Sequence, residues 1–328
     1  MLAEAGEVAS EPAHVVPAVG VFEMEYRLTG LIAATYTPLR EDGSLHLDLV
    51  PAMVDFLERA GVTGIYICGS TGEGMSLSGD ERRAVAEAYV QVAKGRLQTI
   101  VHVGHNSLAE AAQLAGHARW IGADAISATA PSYFKVGSIE VLADCMAQVA
   151  SGAPDLPFYY YHIPSLTGAA LDMVSFLPVA AARIPNLVGM KYTAPTLFEF
   201  QACLELEGGR FDCVWGCDEM LLSALAAGAR GAIGSTYNIA APLYRRLMRA
   251  FERSDLVEAR RLQSLSIRMI RAINRCPFHP ATKQILAMLG LDCGPCRLPL
   301  PRVESAQVEQ LRRDLDALGF FDWSRSAG

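Results

Sequence analysis

From about residue 30 onward, short apolar runs alternate with amphipathic segments. The apolar runs fall at 31–36, 64–68, 99–103, 125–129, 158–161, 187–191, 211–215 and 231–234. Each is four to six residues long, bounded by turn formers and enriched in β-branched, aromatic and small side chains, the pattern of strands buried on both faces. Helical spacing fills the gaps, for example at 47–60, 79–93, 108–121 and 139–150. Ser78 before Gly79-Asp80-Glu81 supplies an N-cap and an acidic first turn, and Gly61, Gly95, Gly122 and Gly228 stand where helices should stop. Eight strands, each followed by a helix, is the count for a (β/α)8 TIM barrel in the α/β class. A doubly wound open sheet is the rival, but Gly69-Ser70-Thr71-Gly72-Glu73-Gly74 lacks the lysine of a phosphate loop and the glycine spacing of a dinucleotide site. Beyond Gly234 the pattern predicts further helices at 242–251, 256–273, 281–289 and 303–318. The expected organisation is a flexible N-terminal extension over 1–26, barrel strands and most helices over 27–240, and the last barrel helix with a C-terminal helical extension over 241–328.

Composition narrows this picture. The chain has 328 residues, 51% hydrophobic, with a net charge of -7. That suits one large α/β domain with added helices, and the acidic balance without a basic run of five argues against a nucleic-acid surface. The first Lys or Arg is Arg27, preceded by Glu4, Glu7, Glu11, Glu23 and Glu25, which is not the basic start of a secretory signal. No apolar run reaches the eighteen or so residues that span a bilayer. A soluble cytoplasmic protein without membrane or nucleic-acid partners is expected. The eight cysteines, at 68, 145, 203, 213, 217, 276, 293 and 296, read as reduced and buried. Cys276, His279, Cys293 and Cys296 have a spacing that could supply four zinc ligands, or a redox dithiol from the last two. The helix expected between the two pairs argues against convergence, and neither a metal nor a nucleotide cofactor is implied.

The candidate chemistry lies at the ends of the apolar runs. Lys191 sits in Leu187-Val188-Gly189-Met190-Lys191, where low dielectric penalises an ammonium and favours a neutral amine able to attack a carbonyl. Tyr161 ends the preceding strand and can move a proton, and Ser70 and Thr71 offer hydroxyls in a glycine loop suited to a carboxylate. Each has a structural reading as well. A strand-end lysine can snorkel to water, Ser and Thr form turns, Tyr161 can be core, and Asp218-Glu219 can start a helix. His102, His105 and His162 read as structural. What distinguishes the set is placement: Ser70 and Thr71 follow strand two, Tyr133 follows strand four, and Tyr161 and Lys191 close strands five and six. Asp218 and Glu219 follow strand seven, and Ser235 and Thr236 follow strand eight. All lie at C-terminal strand ends, where barrel enzymes hold their active sites.

Four ordered motifs carry a family resemblance: Gly69-Ser70-Thr71-Gly72-Glu73, Tyr161-His162-Ile163-Pro164-Ser165-Leu166-Thr167-Gly168, Gly189-Met190-Lys191 and Gly234-Ser235-Thr236-Tyr237-Asn238. From about residue 28 to 301 the chain resembles the N-acetylneuraminate lyase/dihydrodipicolinate synthase superfamily of Schiff-base aldolases. The resemblance implies a (β/α)8 barrel, a homotetramer and a small keto-acid substrate. Synthases of this superfamily characteristically place an arginine before the Thr-Gly of the tyrosine motif to hold a second carboxylate. Here that position is Leu166, which cannot pair with an anion. With Thr193, Gly216, Asp218, Glu219 and Ser235 in place, the chain looks like the lyase branch, in which these positions line the sugar tail. Tyr133 matches a tyrosine that can reach a neighbouring subunit's site. His162 departs from the asparagine common in much of the family.

The resemblance implies reversible cleavage of N-acetylneuraminate to pyruvate and N-acetylmannosamine. Lys191 would condense with the C2 ketone, Tyr161 would relay the C4 hydroxyl proton with help from the substrate carboxylate, and Ser70 and Thr71 would hold that carboxylate. Tyr133 would join the catalytic set. Another pyruvate-dependent aldolase acting on a 2-keto-3-deoxy sugar acid is the alternative, and dihydrodipicolinate synthase activity a more distant one.

Overall fold

Each apolar run forms a parallel strand, and the eight strands close on themselves in chain order as a barrel in the computed structural model, which describes residues 26–324. The residues of the expected N-terminal extension up to 25 lie outside those described. The strands are β1 Gly30–Ala34, β2 Gly64–Ile67, β3 Gln98–His102, β4 Ala125–Thr129, β5 Phe158–His162, β6 Leu187–Tyr192, β7 Asp212–Trp215 and β8 Gly231–Gly234. Alternation divides their side chains between two cores. Ile32, Tyr66, Ile100, Tyr159, Tyr161, Val214 and Ile233 fill the barrel interior, while Tyr160, Tyr192 and Trp215 point outward into the layer under the helices. Tyr161, Lys191 and Val214 pair side by side across β5, β6 and β7, so Lys191 faces inward at the level of Tyr161.

The two ends of the barrel are built differently. At the N-terminal end, buried Asp212 accepts hydrogen bonds from the Leu28 N–H (2.8 Å) and the Tyr159 hydroxyl (2.6 Å). Burial raises the Asp212 pKa, and these two donors offset part of the desolvation cost. At the C-terminal end the strands give way to the loops that carry the candidate residues.

The barrel helices match their sequence signals. Ser78 caps Gly79–Ala93 in a full capping box with Glu81, and the four expected stop glycines all have positive φ. The segment after β8 differs from expectation. Its helix runs from Tyr237–Glu252, starting before Pro242, with a kink at Ala240 (φ -140°). A proline lacks the N–H that a helix interior needs, so the kink accommodates it. Helices Leu256–Ile273, Phe278–Met288 and Ser305–Ala317 follow, and no described helix is long and apolar enough to cross a membrane.

A buried ion pair ties these C-terminal helices to the barrel. Lys283 Nζ stands 3.0 Å from Glu73 Oε1, both side chains being 1% exposed. The amine also donates to the carbonyls of Thr37 (2.9 Å) and Pro295 (2.7 Å), and Glu73 Oε2 accepts the Arg297 N–H (2.7 Å). Removing one member strands the other charge without water. Lys283→Met should therefore lower the unfolding free energy by about 3–5 kcal/mol. Glu73→Gln added to Lys283→Met should recover at least half of that loss. Urea denaturation of the three proteins checks both, and a single variant within about 1 kcal/mol of wild type would show that the pair is dispensable.

Candidate active site

The loop after β2 departs from ordinary backbone geometry. Cys68 (φ 59°) and Glu73 (φ 55°) are two of the four described non-glycine residues with positive φ. Such conformations are costly and persist where surrounding contacts impose them. Here the Thr37 hydroxyl donates to Gly72 O (2.6 Å), the Gly74 N–H bonds Gly69 O, and Lys283 holds the Glu73 carboxylate. The result presents Ser70 and Thr71 to the barrel mouth, where the Thr71 hydroxyl lies 2.6 Å from that of Ser235 at the end of β8.

Lys191 projects from β6 beneath this loop and is 4% exposed. Its Nζ stands 4.0 Å from the ring centroid of Tyr161 and 4.4 Å from that of Tyr66. Two electron-rich ring faces stabilise an ammonium without tying it to a carboxylate, and among the described residues Lys191 makes no ion pair. The aromatic wall is braced from β3. His102 Nδ1 contacts Cys68 O (3.2 Å) and its Nε2 accepts the Thr129 N–H (3.3 Å), which assigns the proton to Nδ1. Burial, reinforced by the Arg82 guanidinium, drives the His102 pKa well down, so the ring is neutral. It meets Tyr161 edge to face at 5.9 Å. The Tyr66 hydroxyl donates to Ser127 (3.0 Å), and burial keeps that phenol protonated.

Two glycines make room for polar groups at the ends of β7 and β8. A Cβ on Gly216 would lie 1.9 Å from Thr193 Oγ1, and one on Gly234 would lie 1.8 Å from Asp218 Oδ1. Asp218 sits in that space, buried, with Oδ2 accepting the Thr236 N–H (2.9 Å) and hydroxyl (2.5 Å). Because Thr236 donates to the carboxylate, its oxygen accepts from Tyr244 (2.7 Å), which in turn accepts from Ser266 (2.8 Å). This chain runs from helix Leu256–Ile273 to the site. Burial pushes the Asp218 pKa up to about 6, against the opposing pull of the Thr236 bonds.

These parts surround a cavity of about 280 Å³, close to the lower end of small-ligand sites at roughly 300 Å³. Of the residues expected from sequence, Ser70, Thr71, Tyr161, Leu166, Lys191, Thr193, Gly216, Asp218, Glu219 and Ser235 all line it. Tyr133 does not. It lies on the loop after β4, 77% exposed beside Phe134, its N–H held by the Asn106 side chain. Ile163, Ile233, Gly234 and Thr236 also line the cavity, as do Ile270, Asn274, Phe278 and His279 from the C-terminal helices. The last four were invisible to strand-end reasoning, since they approach from far along the chain. Among the described residues no group of three or more His, Cys, Asp or Glu side chains could hold a metal, so Cys276, His279, Cys293 and Cys296 do not converge as a zinc site. All eight cysteines are free.

Residues 27–318 match the dihydrodipicolinate synthetase family. An N-acetylneuraminate lyase of Xenopus tropicalis is 44% identical over 299 residues, covering 88% of this chain and 98% of the relative. One from Rattus norvegicus is 40% identical over 302 residues, covering 90% and 94%. Among solved structures, Proteus mirabilis N-acetylneuraminate lyase superposes with a TM-score of 0.88 at 38% identity, covering 90% of this chain and 100% of that one.

The Asp218 environment can be tested without reference to substrate. Its carboxyl resonance in aspartate-labelled protein should titrate with a midpoint of about 6. Thr236→Val deletes a hydrogen bond that favours the ionised form, so the midpoint should move higher. Because the folded-state value is raised, this group's contribution to stability is fully present below its unfolded value of 3.8 and is lost as pH rises through about 6. An unshifted midpoint in the valine variant would remove Thr236 from this role.

Proposed function

The chain belongs to the dihydrodipicolinate synthetase family, and we propose that it is a pyruvate-dependent carbon–carbon lyase that reversibly cleaves N-acetylneuraminate to pyruvate and N-acetylmannosamine. The observation that carries this reading is the convergence on one cavity of an unpaired lysine, a tyrosine and a hydroxyl pair, with Leu166 at the rim. Leu166 is 61% exposed and offers no anion-binding group where a synthase would hold its second carboxylate.

The sequence of steps follows from the chemistry of these groups. Ser70 and Thr71 orient the carboxylate of the open-chain keto acid. The Lys191 amine adds to the C2 ketone and expels water, giving an iminium that withdraws electrons from C3. The C3–C4 bond breaks as the C4 hydroxyl proton passes to Tyr161 and the substrate carboxylate, the bonding pair entering the iminium as an enamine. Protonation at C3 and hydrolysis release pyruvate and restore the amine. Thr193, Asp218, Glu219 and Ser235 hold hydroxyls of the departing sugar. Thr193 Oγ1 is buried without a partner in the described residues, as suits a group awaiting a ligand. On this reading the enzyme works as a cytoplasmic homotetramer, and the exposed Tyr133 completes a neighbour's cavity. The barrel strands and most helices (27–240) form the catalytic body, with 241–328 as its helical extension.

Incubation with N-acetylneuraminate and borohydride should leave a pyruvate-sized adduct on Lys191, read by peptide mass. Labelling by pyruvate but not by N-acetylneuraminate would move the substrate to a 2-keto-3-deoxy sugar acid. Lys191→Ala should abolish both adduct and turnover. Tyr161→Phe should lower turnover by about 10²–10⁴ while pyruvate imine formation persists. Leu166→Arg should weaken cleavage of N-acetylneuraminate, and an unchanged rate would place this residue outside the substrate's reach.

A further inference from the structure

One wall of the cavity comes from the C-terminal helices, and its polar members have no part in the steps above. His279 is the most constrained of them. Its ring meets Tyr36 edge-on at 6.1 Å and Phe278 at 5.4 Å, is half-buried and lines the cavity. Its Nδ1 is fully buried with no hydrogen-bond partner among the described residues. Burial lowers its pKa, so the ring is neutral and carries a single N–H. A buried N–H without an acceptor is costlier than a buried lone pair. The proton therefore belongs on Nε2, which keeps access to the cavity.

We propose that His279 donates an Nε2–H hydrogen bond to a neutral acceptor oxygen on the sugar tail, and thereby selects long polyhydroxylated acids over short keto acids. The keto-acid head already has its partners at the strand ends, in Ser70, Thr71 and Lys191. A neutral donor on the opposite wall, beside Asn274 and Phe278, complements an uncharged hydroxyl or amide oxygen. The proposal rests on the lyase reading and deepens it.

The test uses full-length His279→Phe and His279→Gln, with two readouts. Pyruvate trapping on Lys191 by borohydride reports the head alone, and steady-state cleavage of N-acetylneuraminate reports the whole substrate. His279→Phe should raise KM about tenfold with kcat and pyruvate trapping little changed. His279→Gln, which keeps a donor, should stay within about threefold of wild type. A phenylalanine variant with wild-type KM overturns the proposal. So does parallel loss of pyruvate trapping, which would mean that the ring only supports the neighbouring Glu73–Lys283 pair. Should the wild type be labelled by pyruvate yet not cleave N-acetylneuraminate, the substrate reading fails separately, and the same comparison is made on the sugar acid it does cleave.

Discussion

The Glu73–Lys283 ion pair is the interaction on which the site's shape depends. Glu73 belongs to the strained loop that presents Ser70 and Thr71, and Lys283 belongs to helix Phe278–Met288, which contributes Phe278 and His279 to the cavity. Two buried charges are expensive to desolvate, and a bare pair would gain little. This one is embedded: Lys283 reaches two carbonyls as well as the carboxylate, and Glu73 receives a backbone N–H from Arg297. The Arg297 guanidinium then bonds Glu81 (2.5 Å) and Gly43 O (2.7 Å), extending the network to the surface. One polar cluster thus fixes both the floor loop and the far wall.

The two buried lysines show how surroundings decide a side chain's work. The chain has only four lysines among its 28 basic residues. Lys283 is 1% exposed and compensated by an anion and carbonyls, which leaves its amine no freedom to react. Lys191 is also buried, and among the described residues its amine makes no ion pair and faces the rings of Tyr161 and Tyr66. Ring faces hold an amine more weakly than a carboxylate does. Sequence context separates the two only in part: Lys191 ends an apolar run, whereas Lys283 lies between Thr282 and Gln284. The difference lies in partners: Glu73, Thr37 and Pro295 for Lys283, and the Tyr161 and Tyr66 rings on β5 and β2 for Lys191.

Legibility of the sequence followed the range of the contacts. Strand order and the strand-end location of Lys191, Tyr161, Ser70, Thr71 and Ser235 are legible because short apolar runs mark the strands and chain order suffices to arrange them in a barrel. Spacing groups His279 with three cysteines, which presumes local chelation, whereas the fold turns it toward Tyr36 and the cavity. Pro242 looked like a helix start because a proline is costly inside one, and the kink at Ala240 is how the chain tolerates it. Tyr133 illustrates a different boundary. Its sequence position marks the correct face of the barrel, but it does not line the cavity that the other strand-end residues surround.

Thr193 and Asp218 occupy space that exists only because Gly216 and Gly234 lack side chains. The polar lining on this side of the cavity is therefore set by backbone clearance at two strand ends. The surroundings of Lys191, by contrast, are built into the barrel wall: the rings of Tyr66, His102 and Tyr161 pack on one another, and those of Tyr66 and Tyr161 face the amine. Altering that wall disturbs the inner core, and His279 and Asp218 likewise reach the outer core through Tyr36 and Tyr244. The setting of Lys191 is thus fixed by inner-core rings, whereas the polar groups at the ends of β7 and β8 are placed by backbone clearance, so the two halves of the cavity answer to different physical constraints.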